Sequence, residues 1–227
     1  MGPIVTVAAP APTHDLIRLR EPIALAAEAP VPAWVEAALG RTPWVVVRRG
    51  RIQAGGIPVG VRGMTRLRRF AAWLAVADIA ERLSPEELTG LPYVLKQTRQ
   101  DAVPALAALA RVVPLLARHG YRWGPGGSVG FELATGVATA TASSDLDVIL
   151  RQARRLEPHE ALALRAALVE AAAPARIDVL LETPRGGVSL ADLAAAPTHV
   201  LVRTPDGARL VADPWMVDAD ALMEGVS

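Results

Sequence analysis

Apolar and polar positions follow two different periods along this chain, and each period predicts its own elements. Trp44–Arg49 (WVVVRR) is a short β-branched run and predicts a strand. Ile57–Val61 (IPVGV), behind a Gly55-Gly56 turn, predicts a second. Pro58 inside it assigns that strand to a sheet edge, because proline donates nothing to a ladder. Over Met64–Leu83 the apolar positions Leu67, Phe70, Ala71, Leu74, Ala77 and Ile79 recur at helical spacing and predict a helix. Ser84-Pro85-Glu86-Glu87 is a capping box with proline at the first helical position, opening a short helix that Gly90 stops. Asp101–His119 predicts a longer helix, bent at Pro114 and ended by Gly120.

The second half alternates between the two periods. After the turn Gly124-Pro125-Gly126-Gly127-Ser128 come a strand over Asp145–Leu150 (DLDVIL) and a helix over Pro158–Ala173, closed by Pro174. A strand over Arg176–Glu182 (RIDVLLE) and a short helix over Leu190–Ala196 follow. His199–Arg203 and Arg209–Ala212 form a hairpin around Pro205-Asp206-Gly207. Strand–helix alternation is an α/β signature. Residues 1–33, with prolines at 3, 10, 12, 22, 30 and 32, read as an irregular arm, and the polar stretch 91–100 marks a domain boundary. The fold class is therefore α/β (α+β): a mixed sheet flanked by helices over about 96–227, preceded by a smaller α+β subdomain over about 1–95. No internal repeat is present.

Composition narrows the functional classes. With 52% apolar and 21% charged residues, the 227-residue chain has a core to bury and is not disordered. A net charge of +1, from 24 basic and 23 acidic residues, gives no argument for nucleic acid or a membrane as partner. The absence of cysteine removes disulfides, thiolate nucleophiles and cysteine-ligated metals, and fits a reducing, cytoplasmic setting. There is no signal-like N-terminus and no apolar run of about 18 residues that would span a membrane. Every basic residue except Lys96 is arginine. A GC-biased genome accounts for that, and arginine also suits bidentate phosphate recognition.

The candidate chemistry lies in three carboxylates and one turn. Asp145 and Asp147 are two apart on a strand and point to one face, leaving Leu146 and Val148 to the core. Like charges side by side repel, and a divalent cation such as Mg²⁺ relieves that repulsion. Asp178, between Ile177 and Val179, joins them if the two strands are neighbours. Three carboxylates can hold two metals for an in-line phosphoryl displacement. Gly127-Ser128 offers backbone N–H groups, a hydroxyl and, if a helix begins there, its positive end to a triphosphate. An Asp-x-Asp by itself also occurs on solvated sheet faces. Gly124–Gly130 imitates a dinucleotide fingerprint with the wrong spacing and no clear strand before it, and Gly-Lys-[Ser/Thr] of a Walker A loop is absent.

In that order, Gly127-Ser128, Asp145-Leu146-Asp147-Val148 and Ile177-Asp178-Val179 resemble the nucleotidyltransferase superfamily of the DNA polymerase β type. Residues 129–144, between Ser128 and Asp145, make a longer gap than that superfamily usually shows. A closer resemblance covers nearly the whole chain. His14-Asp15-Leu16, IPVGVRG (57–63), RFAAWL (69–74), GSVGFELATG (127–136), SDLDVIL (144–150), DVLLETPRGGVSL (178–190) and RLVADPW (209–215) are similar to the phosphoribosyl-dephospho-CoA transferases. These are the holo-acyl-carrier-protein synthases of malonate decarboxylase.

The resemblance implies a nucleotidyltransferase-like catalytic domain and a reaction. The donor would be 2′-(5″-triphosphoribosyl)-3′-dephospho-CoA, the acceptor a serine hydroxyl of the malonate decarboxylase acyl-carrier subunit, and pyrophosphate would leave. It makes Asp145 and Asp147 the catalytic and metal-ligating pair, and the wider superfamily adds Asp178. Mg²⁺ or Mn²⁺ is the implied cofactor. Serine needs activation by a base or a metal, and Asp178 is the expected base if one is used. Gly127, Ser128, Arg62, Arg66 and Arg69 are the candidate contacts for the donor, with Arg68, Arg154 and Arg155 as further phosphate candidates. Two other readings stay open on sequence: a transferase acting on a different small-molecule or protein hydroxyl, and a non-catalytic binding module of the same fold.

Overall fold

The computed structural model describes residues 11–21, 25–53, 55–65, 68–90 and 97–216. The chain divides into two compact units, Met1–Arg82 and Leu83–Ser227, ahead of the boundary near residue 95 expected from sequence. Of the polar stretch that suggested that boundary, residues 91–96 lie outside the described residues.

Among its described residues, the first unit is a six-stranded sheet with one α-helix. Its elements are β1 (Leu16–Leu19), β2 (Leu25–Ala26), α1 (Ala33–Arg41), β3 (Trp44–Val47), β4 (Gly56–Arg62), β5 (Arg69–Ala75) and β6 (Ile79–Leu83), in the spatial order β2-β5-β4-β3-β1-β6. Ile17, Leu19, Val35, Leu39, Val45, Val47, Ile57, Val59 and Leu74 form its core.

Three expectations fail here. Residues 1–33 are not wholly an arm, because β1 and β2 lie within them. Leu16–Leu19 is only four residues long and sits among prolines, so its pairing with Trp44–Val46 is not written locally. The helix over Met64–Leu83 is instead β5, a single 3-10 turn over Val76–Asp78, and β6. In RFAAWLA the fully buried Ala72 and Leu74 sit two apart, and alanine at three positions lets a helical period fit as well. The seven-residue antiparallel ladder with β4, from Gly56↔Ala75 to Arg62↔Arg69, decides the matter. Finally, β4 is interior, not an edge. The Pro58 carbonyl accepts from Arg48 N–H at 2.9 Å, just past the end of β3, so the missing proline donor falls where the ladder is already ending.

The second unit holds α2 (Pro85–Gly90), α3 (Gln97–Ala102), α4 (Pro104–Arg118), β7 (Arg122–Pro125), α5 (Gly127–Thr135), β8 (Leu146–Arg151), α6 (Pro158–Ala172), β9 (Ile177–Thr183), β10 (Gly186–Ser189), α7 (Leu190–Ala194), β11 (Val200–Thr204) and β12 (Gly207–Val211). The sheet order is β12-β11-β10-β9-β8-β7. β8 and β9 are parallel and joined through α6; the other neighbours are antiparallel, giving the mixed sheet expected.

Local signals account for most of these elements. Ser84 N–H donates to Glu87 Oε2 at 2.7 Å and Glu87 N–H to Ser84 Oγ at 3.3 Å, which is the capping box that starts α2. A second box, Glu157 with Glu160, starts α6. β10, rich in glycine, was not foreseen. Leu146, Val148 and Leu150 of β8 and Val179 and Leu181 of β9 share one core with Leu106, Leu109, Val112 and Leu116 of α4 and Leu164 and Leu168 of α6. The end of α6 is tied to α4: Arg111 Nε donates to Ala171 O at 2.8 Å, and its Nη2 to Ala172 O at 3.1 Å and Ala173 O at 2.7 Å. No helix of the described residues is long and apolar enough to cross a membrane.

Candidate active site

Strand alternation fixes which face carries the carboxylates. With Leu146 and Val148 in the core, Asp147 points to the other face of the sheet, and Asp145 shares its phase. The parallel register of β8 and β9 pairs Asp147 directly with Asp178. Strands lie roughly 4.8 Å apart, so these two carboxylates are side by side on one face. Asp178 is exposed and Asp147 half-buried. The structure thus brings Asp147 and Asp178 together, as the pattern of residues required.

Asp145 stands one position ahead of β8 and is engaged differently. Its Oδ1 accepts from Arg176 Nε at 2.7 Å and lies 2.7 Å from Arg176 Nη2 in an ion pair. Arg176 precedes β9, and its carbonyl accepts from Leu146 N–H at 2.9 Å. Sequence reasoning overlooked Arg176. The signal was available: once Asp147 faces Asp178 in parallel register, position 176 falls opposite 145. With Arg176 75% exposed, the pair is a partly solvated ion pair, a type that contributes about 0–1 kcal/mol and yields readily to another cation.

α5 begins beside Asp147. Gly126 N–H donates to the Asp147 carbonyl at 2.9 Å, and the chain turns into the helix through Gly127 at φ +56°. A Cβ on Gly127 would stand 1.6 Å from Asp147 Oδ2. Only glycine combines the left-handed backbone with that approach. The positive end of α5 therefore lies against the Asp147 carboxylate. Ser128, half-buried, occupies the first turn of α5. A strand, β7, does lead into this turn, contrary to the sequence reading, but the glycine spacing still departs from a dinucleotide fingerprint.

The gap between Ser128 and Asp145 has a structural reason. It contains the rest of α5 after Ser128 and a loop that folds back on it. Glu132, 3% exposed, accepts from Arg99 and from the backbone N–H groups of Thr139 and Ala140, both at 2.9 Å. Glu132 lies within the GSVGFELATG segment, but nothing in the sequence marked its burial or its pairing with Arg99. A buried carboxylate on a helix looks, from sequence, like any solvated one.

The arginines foreseen as phosphate contacts fall into three sets. Arg62 and Arg69 are cross-strand partners at one end of the β4–β5 ladder in the first unit, and Arg68 is exposed just before β5. Arg66 lies outside the described residues. Arg154 pairs with Glu160 at 3.4 Å, and Arg155 with Glu157 at 3.0 Å and with Asp213. Arg155 thus binds the RLVADPW segment, where Trp215 Nε1 also donates to Gln152 O at 3.0 Å.

Three carboxylates on one sheet face are the oxygen donors that a hard divalent cation takes, so the residues fit such an ion in kind. They are not drawn into a closed cage. Among the described residues, no group of three or more His, Cys, Asp or Glu side chains stands ready to hold a metal. Asp145 is turned to Arg176.

Comparisons with known proteins agree with one another. Residues 87–214 match the family model described as Phosphoribosyl-dephospho-CoA transferase MdcG C-terminal domain, and residues 12–85 match the corresponding N-terminal domain. A phosphoribosyl-dephospho-CoA transferase of Pseudomonas putida is 43% identical over 211 residues, covering 92% of this chain and 97% of its own. One from Azotobacter vinelandii is 43% identical over 192 residues, 83% of this chain and 87% of its own. One from Pseudomonas aeruginosa is 40% identical over 206 residues, 90% and 93%. No solved structure matches the chain.

Proposed function

Because the chain belongs to the phosphoribosyl-dephospho-CoA transferase family and is a transferase of that prosthetic group, we propose a donor, an acceptor and a division of labour among its residues. The donor is 2′-(5″-triphosphoribosyl)-3′-dephospho-CoA. The acceptor is a serine hydroxyl on the acyl-carrier subunit of malonate decarboxylase. The hydroxyl oxygen bonds to the phosphorus attached to the ribose, the bond from that phosphorus to the pyrophosphate breaks, and the serine proton passes to a base. The products are a phosphodiester-linked group and pyrophosphate.

The in-register pair of Asp147 and Asp178 beside the start of α5 carries this reading. A weak nucleophile and a highly charged leaving group must meet at one place. Asp178, exposed on that face, is the base that takes the serine proton. Ser128 and the N–H groups of the α5 turn hold the triphosphate tail. Asp145, Asp147 and Asp178 would hold Mg²⁺ or Mn²⁺, which when bound lowers the pKa of the attacking hydroxyl and offsets the charge of the departing pyrophosphate. Arg176 releases Asp145 for that purpose at small cost, since the pair is partly solvated.

The test is mass spectrometry of the carrier subunit after incubation with this protein, the donor and Mg²⁺. A mass gain equal to phosphoribosyl-dephospho-CoA on one serine is the expected result. An unmodified carrier, or modification only when ATP replaces the donor, overturns the reading.

A further inference from the structure

The loop between Ser128 and Asp145 is organised around an unusual centre. Glu132 is buried on α5 and saturated with donors. Its Oε1 accepts from Arg99 Nε at 3.0 Å and Arg99 Nη2 at 2.9 Å; its Oε2 accepts from Arg99 Nη2, Thr139 N–H and Ala140 N–H, each at 2.9 Å. Arg99 Nη2 also donates to the Ala140 carbonyl at 2.9 Å. The loop is thus pinned at Thr139–Ala140 from both sides. From there one side-chain bond runs back to the site: Thr139 Oγ1 donates to the Ser128 carbonyl at 2.9 Å.

Stability alone is a poor reason for this arrangement. Burying an ion pair costs desolvation that its attraction barely offsets, and an apolar replacement of similar volume often serves as well. What an apolar cluster cannot do is fix the direction of individual backbone groups. The buried carboxylate fixes two N–H groups, and the hydroxyl of one of those two residues, Thr139, fixes a backbone atom in the first turn of α5.

We propose that Glu132 and Thr139 are positioning residues for Ser128: the buried carboxylate sets the loop, and the Thr139 hydroxyl sets the turn that grips the donor's phosphates. This rests on the function proposed above. Neither residue touches substrate; both act through Ser128. Arg99 serves as the counter-charge that allows Glu132 to be buried.

Thr139→Val keeps the side-chain shape, removes the hydroxyl and leaves every Glu132 bond in place. It should weaken binding of inorganic tripolyphosphate, measured calorimetrically with Mg²⁺ present, by about two- to tenfold, the size of one neutral hydrogen bond. In transfer assays the donor KM should rise by a similar factor, with kcat, the carrier KM and the unfolding midpoint near wild type. Glu132→Gln should show the same split more strongly, with some loss of stability. If Thr139→Val binds tripolyphosphate as the wild type does, the inference fails. It also fails if kcat falls while the donor KM stays constant, the mark of a smaller active fraction, or if the wild type does not bind tripolyphosphate at all. A wild type that binds tripolyphosphate but modifies no carrier overturns the proposed function and leaves the positioning effect measurable by binding.

Discussion

Replacing Gly127 with alanine tests the centre of the site with one methyl group. Two costs add. At φ +56° a side chain pays for the left-handed backbone, about 1–2 kcal/mol. The new Cβ would also lie 1.6 Å from Asp147 Oδ2, against about 3.4 Å for ordinary contact, so the carboxylate must retreat by roughly 1.8 Å. A misplacement of about 1 Å at a reacting centre costs on the order of 10²-fold. The unfolding midpoint should therefore fall by about 2–8 °C, at about 2–4 °C per kcal/mol for a chain of this size. The kcat for carrier modification should fall by about 10²-fold or more. Gly136→Ala is the control. Gly136 ends the same helix at φ +70° with nothing within 4 Å of its would-be Cβ. It pays the backbone cost alone and should lose similar stability while keeping kcat within about threefold of wild type. Wild-type kcat in Gly127→Ala, or equal activity loss in both variants, refutes the reasoning.

Asp178→Asn should leave the unfolding midpoint unchanged, because the side chain is exposed, and lower kcat by about 10²–10⁴-fold; single-turnover transfer to the carrier measures it. Arg111→Ala removes the donor to three carbonyls at the end of α6 and should cost about 1–3 kcal/mol in chemical denaturation without altering the donor KM. The Glu160 carboxyl is held below the ordinary carboxylate range chiefly by the backbone N–H of Glu157; desolvation opposes this, and the Arg154 guanidinium lowers it further. Its contribution to stability is thus complete above the unfolded-state value and is lost as pH falls through the lowered one. The advantage of wild type over Glu160→Gln in thermal unfolding should shrink in strong acid, and a gap independent of pH would contradict this.

The second unit was largely legible because its signals are local. Capping residues, proline at helix starts and unbroken apolar runs placed α2, α4, α6, β8 and β9 close to their true bounds. The face shared by Asp147 and Asp178 followed from strand period alone, given that the strands are neighbours. The first unit was less legible because alanine satisfies both periods at once. In RFAAWLA, pairing with β4 chooses between them, and that pairing joins residues with no local mark. The same limit hid Arg176, Arg99 and Glu132. Each is an ordinary charged residue by sequence, and each acquires its role from a partner at least thirty positions away.

The capping box at Ser84 has a use in recombining these proteins. The first residue of the second unit is Leu83, and α2 draws its starting hydrogen bonds from Ser84 and Glu87, both on the same side of the divide. Glu86 of that helix then pairs with Arg151 and Arg122, again within the second unit. A chimera joined between Leu83 and Ser84 inherits an intact helix start from one parent and severs none of these bonds. A crossover placed a few residues later, inside the box, would take the two reciprocal partners from different parents, so the bonds would form only where both parents carry compatible residues at positions 84 and 87.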